Sequence, residues 1–185
     1  MPSSLLLLVL ALPLAFSSPA DLPGITINRA SLRVENDFYV MDGEMRYNFG
    51  DEALKALSNG VPLVFMTEGE IRLERKYLWD ITLAKARRNL RLQRHALTGQ
   101  YLVVNLDTGI QQSFRTLEEA ALALGQVERL PVIETHALYP PARYRAGIRV
   151  RLDIESLPPP LRLVAYLSPH WRRLSSPWRE WEVHP

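Results

Sequence analysis

The sequence predicts a mainly β protein: an antiparallel β-sandwich-like domain of about eight strands with two short helices. Three observations predict it. Apolar and polar residues alternate with period two in several separate runs, turn residues stand between those runs, and no strand–helix–strand rhythm of a parallel sheet occurs. The 47% apolar and 23% charged residues are those of an ordinary globular protein and exclude a wholly disordered chain.

Ile25 to Val34 and Asp37 to Phe49 read as two extended runs around Glu35-Asn36-Asp37. In the second, Met45, Tyr47 and Phe49 alternate with Glu44, Arg46 and Asn48, as in a strand with one dry face. The pair forms a long hairpin, or two shorter strands if Asp42-Gly43 turns the chain rather than bulging it. A short helix over Glu52 to Ser58 has a narrow apolar stripe of Ala53, Leu54, Ala56 and Leu57, and Asn59-Gly60 stops it. Val61, Leu63 and Phe65 then share one face, Ile71 and Leu73 alternate with Arg72 and Glu74, and Gly69 suggests a bulge between them. Leu90 and Leu92 alternate with Asn89, Arg91 and Gln93. Thr98-Gly99-Gln100 and Asp107-Thr108-Gly109 make the corners of a three-strand meander through Tyr101–Leu106 and Ile110–Arg115.

Thr116-Leu-Glu-Glu119 is a capping box that opens the second helix, which runs to Leu124 and stops at Gly125. Gln126–Pro141, with three prolines, reads as a long crossing loop containing at most a short strand at Val132–Glu134. The clearest strand follows, where Tyr144, Ala146, Ile148, Val150, Leu152 and Ile154 alternate with Arg145, Gly147, Arg149, Arg151 and Asp153. Such a strand belongs to an antiparallel sheet with one face toward water. Pro158-Pro-Pro160 blocks its continuation, a last strand is expected over Leu161–Leu167, and a Pro- and Trp-rich tail closes the chain.

Met1–Ala20 carries no charged side chain, and the apolar run Leu5 to Phe16 is too short for the roughly 20 residues that span a bilayer. It reads as a secretory signal peptide cleaved after Ala20, with small Ser18 and Ala20 before the cut. The remainder, 21–185, is then a single β-rich exported domain, periplasmic or secreted. The n-region lacks Lys and Arg, which leaves an uncleaved anchor as the alternative.

Net charge is +2, from 22 Lys+Arg against 20 Asp+Glu, too slight to argue for a nucleic-acid partner. Without cysteine there are no disulfides, thiolate metal sites or cysteine nucleophiles. His95, His136, His170 and His184 lack metal-ligand spacing, and no nucleophile elbow, phosphate loop or dinucleotide fingerprint occurs, so no catalytic residue, metal or cofactor is nominated.

Positive charge is densest over Lys85–His95. Arg87, Arg88, Arg91 and Arg94 there, with Arg149 and Arg151 on the later strand, are the candidate binding residues for an anionic envelope surface or an acidic partner. A plain solvated strand face is the competing reading. Trp171, Trp178 and Trp181 are expected to fold back and bury against a sheet, the alternative being an aromatic binding platform. Trp79, beside Tyr77, is expected in the core or at a loop anchor.

Three segments carry a resemblance: Ala53–Leu63, His95–Tyr101, and Tyr166–Trp181 with its Trp-Arg-x-Leu-Ser-Ser-x-Trp pattern, all behind an exported N-terminus. Together they resemble a family of uncharacterised exported proteobacterial proteins catalogued as a domain of unknown function. That resemblance implies an envelope location, no assigned activity or cofactor, and an accessory role beside a transmembrane sensor kinase. The functional expectation is therefore a non-catalytic binding or accessory module, linked to envelope signalling, with an envelope or membrane-protein partner. An envelope lipid-handling protein or hydrolase with a dispersed site is the alternative; a wide apolar cavity would favour it.

Overall fold

Both extended runs at the start of the domain close into one long hairpin in the computed structural model, which describes residues 23–185. Met1–Ala20, read from sequence as a signal peptide, and the cleavage expected after Ala20 lie outside the described residues. Strand β1 (Gly24–Glu35) pairs with β2 (Phe38–Asn48) across a two-residue turn, Asn36-Asp37. Both turn residues have positive φ, 48° and 63°, the left-handed conformation that Asn and Asp tolerate and that matches the twist of a hairpin. Asp42-Gly43 stays inside β2 rather than turning the chain.

Helix α1 (Asp51–Ser58) ends at Gly60, whose φ of 79° is the left-handed stop the sequence predicts. Then come β3 (Leu63–Leu73), β4 (Ile81–Arg94), β5 (Tyr101–Asn105) and β6 (Gln111–Phe114), a continuous antiparallel meander. The bulge expected at Gly69 falls instead between Ile71 and Arg72. Gly69 serves close approach: a Cβ there would lie 2.7 Å from Met41 Sδ. In α2 (Leu117–Gly125) the capping box is complete, with the Glu119 amide donating to Thr116 Oγ1 and the Thr116 amide to the Glu119 carboxylate.

Directly after α2 runs β7 (Gln126–Glu134); the short strand expected at Val132–Glu134 is its end, and the residues before it, expected in a loop, are strand as well. Among the described residues β7 pairs with β2 on one side only, an edge position that tolerates Pro131, and Arg129 at φ 52° lies within the irregular stretch of that pairing. Strand β8 (Tyr144–Leu152) follows the predicted alternation. The expected strand over Leu161–Leu167 is instead helix α3 (Pro159–Leu167). Its first turn holds Pro159 and Pro160, where a missing N–H leaves no helical bond unmade, and Leu161 and Ala165 meet the core at helical spacing. The tail supplies α4 (Pro169–Arg172) and β9 (Arg179–Val183), giving nine strands and four short α-helices among the described residues.

Two antiparallel sheets result, β1-β2-β7 and β6-β5-β4-β3-β8-β9. Tyr47 of β2 and Phe49 just after it meet Phe65 of β3 with ring centroids 5.0 and 6.0 Å apart, while Met41 meets Gly69. Strand β2 therefore crosses β3 in the opposite direction, and Met41, Phe65, Ile71 and Ile148 fill the space between the sheets. Trp171 is buried in this core and Trp181 packs partly against it, as expected for a tail that folds back. Trp79 is not in the core; its indole is exposed in the β3–β4 turn.

Asp42 holds the small sheet together from its centre. It accepts from Arg33 Nε of β1 at 2.6 Å and from the Arg129 amide of β7 at 3.0 Å. Partial burial acts to raise the pKa of its carboxyl, but the bonds from Arg33 and Arg129 outweigh this and hold it below the usual value. A lowered folded pKa stabilises above the unfolded value and is lost as pH falls through the folded one. Asp42→Asn is accordingly expected to lower stability by about 1 kcal/mol at pH 7, discounted for solvent, and to shrink the stability lost as pH falls below the ordinary carboxylate range, as read by urea unfolding. Gly125→Ala is expected to destabilise by about 1–3 kcal/mol. A Cβ there would lie 2.0 Å from the Met45 carbonyl oxygen, which is backbone, and the urea midpoint measures the loss.

Candidate functional site: the arginine face of the large sheet

Alternation along β3 sends Phe65, Thr67, Gly69 and Ile71 inward and Met66, Glu68, Glu70 and Arg72 outward. Pairing then decides what each carboxylate meets. Glu68 lies opposite Arg87 of β4 and Arg149 of β8, so the basic rows of those two strands share the outer face with an acidic strand between them. Arg87, Arg91, Arg149 and Arg151 stand on this face. Arg88 and Arg94 have the parity of Leu90 and Leu92 and stand on the other.

Glu68 is almost fully buried beneath the arginines. One of its carboxylate oxygens accepts from Arg149 Nε at 2.7 Å and lies 3.4 Å from Arg151 Nε, and the other lies 3.5 Å from Arg87 Nε. One carboxylate among three guanidinium groups leaves a surplus of positive charge. Among the described residues Arg91 Nε is buried without a hydrogen-bond partner. Trp178, from the tail, covers Arg149 with the guanidinium carbon 4.5 Å from the ring centroid, a cation–π contact that also orients the fork. Gly147 leaves room for that indole, since a Cβ would approach Trp178 to 3.2 Å. A small hollow of about 50 Å³ lies here, lined by Glu68, Glu70, Lys85, Arg87, Arg149 and Trp178.

Further along the face the charges balance. Arg72 pairs with Glu70 at 3.1 Å and with Glu180 of β9. Arg145 donates from Nε to Glu74 at 2.7 Å and lies 3.5 Å from Glu180, and these bonds push its pKa upward. On the inner side, Arg88 donates to the Gln126 carbonyl at 2.8 Å and ties β4 to the start of β7. Burial lowers its pKa against the opposing fields of Tyr47, Glu128 and Asp107, and burial raises that of the Tyr47 hydroxyl. Arg88 lines an open groove of about 700 Å³ with Asp107, Gln126 and Glu128. Among the described residues no cluster of three or more metal-ligating side chains forms.

Sequence reasoning missed Glu68 and Gly147, and it placed Trp178 in a tail folding back on a sheet without naming Arg149 as what the indole covers. The period-two acids Glu68 and Glu70 between two basic rows were a legible signal for the first. Nothing local could bring Trp178 from the tail. Glu68→Gln is expected to destabilise by about 1–3 kcal/mol, because it strips the shared counter-charge from three arginines. Arg87→Gln, at an exposed end of the cluster, is expected to change stability by less than about 1 kcal/mol, and thermal unfolding of the two variants side by side checks the contrast.

Fold and site together define a two-sheet antiparallel β protein with a positively charged outer sheet face. The chain belongs to the DUF4390 family, a domain of unknown function, whose pattern it matches over residues 23–182. It matches no curated protein and no solved structure.

Proposed function

We propose that this chain is an exported, non-catalytic accessory module of the cell envelope that holds an anionic group of a partner on its arginine face. One observation carries the reading: Arg87, Arg149 and Arg151 converge on the single carboxylate of Glu68, so the cluster has more cation than it consumes. Preordered guanidinium forks suit carboxylate, sulfate or phosphate groups because they bind them in a fixed plane. Envelope placement, periplasmic or secreted, rests on the leader read in Met1–Ala20, and a link to envelope signalling rests on the proteobacterial family resemblance. The alternative, lipid handling or hydrolysis at a dispersed site, is less supported, because side chains of Met41, Phe65 and Ile148 occupy the space between the sheets where an apolar ligand would sit.

Crosslinking in intact cells, with a C-terminally tagged chain and mass spectrometry of the captured species and the mature N-terminus, tests the reading. A reproducible partner, an N-terminus at Asp21, and loss of capture in Arg87→Glu/Arg91→Glu/Arg151→Glu are expected, with circular dichroism of the variant unchanged. Capture that survives the triple reversal would remove the arginine face from the function, and a retained leader would make the chain membrane-anchored.

A further inference from the structure

The hairpin of β3 and β4 ends in an apolar turn on which nothing is packed among the described residues. Tyr77, Leu78 and Trp79 are consecutive and 85%, 64% and 89% exposed, and Ile81 and Leu83 carry the exposed apolar surface onto β4. Within the turn Arg75 Nε donates to the Trp79 carbonyl at 2.8 Å, a bond across its backbone that leaves the indole outside. Aromatic and aliphatic side chains of this size each gain about 1.5–3 kcal/mol on burial, so three side by side at a tip mark a contact surface.

Other apolar residues gather at the same end. Because β2 crosses β3 in the opposite direction, the Asn36-Asp37 turn, flanked by exposed Val34 and Phe38, leaves the sandwich where β3 does. Exposed Tyr139 lies in the loop that enters β8 opposite Leu73. Cations flank the tip. Glu74 is taken by Arg145, whereas Arg75, Lys76 and Arg143 have no ion pair among the described residues and line a hollow that holds Asp80 as its other acid. Lys76 Nζ stands 5.4 Å from the Tyr77 ring centroid.

We infer that this end of the sandwich docks on an anionic lipid bilayer. A projecting tip suits a fluid surface, Trp79 and Tyr77 have the amphipathic rings favoured at headgroup level, Leu78 reaches the acyl boundary, and Arg75, Lys76 and Arg143 meet lipid phosphates. The inference is independent of the arginine face, which lies on the flank of the same hairpin.

The test is sedimentation of the full chain, with its N-terminus read by mass spectrometry, on vesicles of equal parts phosphatidylglycerol and phosphatidylcholine. Tyr77→Ser/Leu78→Ser/Trp79→Ser in the same background, confirmed folded by circular dichroism, is expected to bind about tenfold more weakly. Trp79 emission is expected to shift to the blue and to be quenched by brominated acyl chains, a signal lost in Trp79→Phe and kept in Arg87→Glu/Arg91→Glu. Undiminished binding of the triple variant, or tryptophan emission unmoved by vesicles, overturns the inference. Equal binding to phosphatidylcholine alone overturns the anionic assignment, and a tip-dependent protein complex or dimer without vesicle binding replaces the bilayer with that partner.

Discussion

Strand β3 has no free side. It is hydrogen-bonded by β4 and β8 at its two edges, and β2 lies against its inner face. Every second residue must therefore be apolar or small enough to meet β2, which is why Thr67 and Ile71 flank a glycine where Met41 comes closest. The remaining positions face outward under the long side chains of both neighbours. A carboxylate survives there because it is paired several times over, and Glu68 with three arginines is that solution.

That arrangement makes the outer face both stiff and positive. Each guanidinium that bonds Glu68 gives up rotamer freedom, Trp178 clamps Arg149 from above, and the absence of a side chain at Gly147 gives the indole its seat. The same β3–β4 hairpin that carries this face also projects the Tyr77-Leu78-Trp79 tip beyond the sheet. Two chemically distinct surfaces thus share one rigid element, the charged one on its flank and the apolar one at its end.

Local pattern and tertiary structure agree where one segment contains the whole physical argument. The Asn36-Asp37 turn, the Thr116–Glu119 capping box and the alternation of β8 all depend on residues within a few positions of each other. They diverge where a partner decides. Gln126–Glu134 looks like a loop by its proline, yet β2 offers it an edge to pair with. Leu161–Leu167 has the apolar content of a strand, but the prolines before it start a helix that meets the core through Leu161 and Ala165. Trp79 has the chemistry of a core residue and no core within reach.

By itself the sequence determined the sheet faces, the turn positions, the helix caps and the two rows of arginines, because each follows from side-chain period and backbone preference over short distances. Only the tertiary structure decided that an acidic strand lies between those rows, that Glu68 meets an arginine 81 positions away, and that a tail tryptophan covers it. It also decided which aromatics are buried and which project. Such choices are made by the packing of whole sheets, where every strand of suitable period is a possible neighbour and only the sum of contacts selects one.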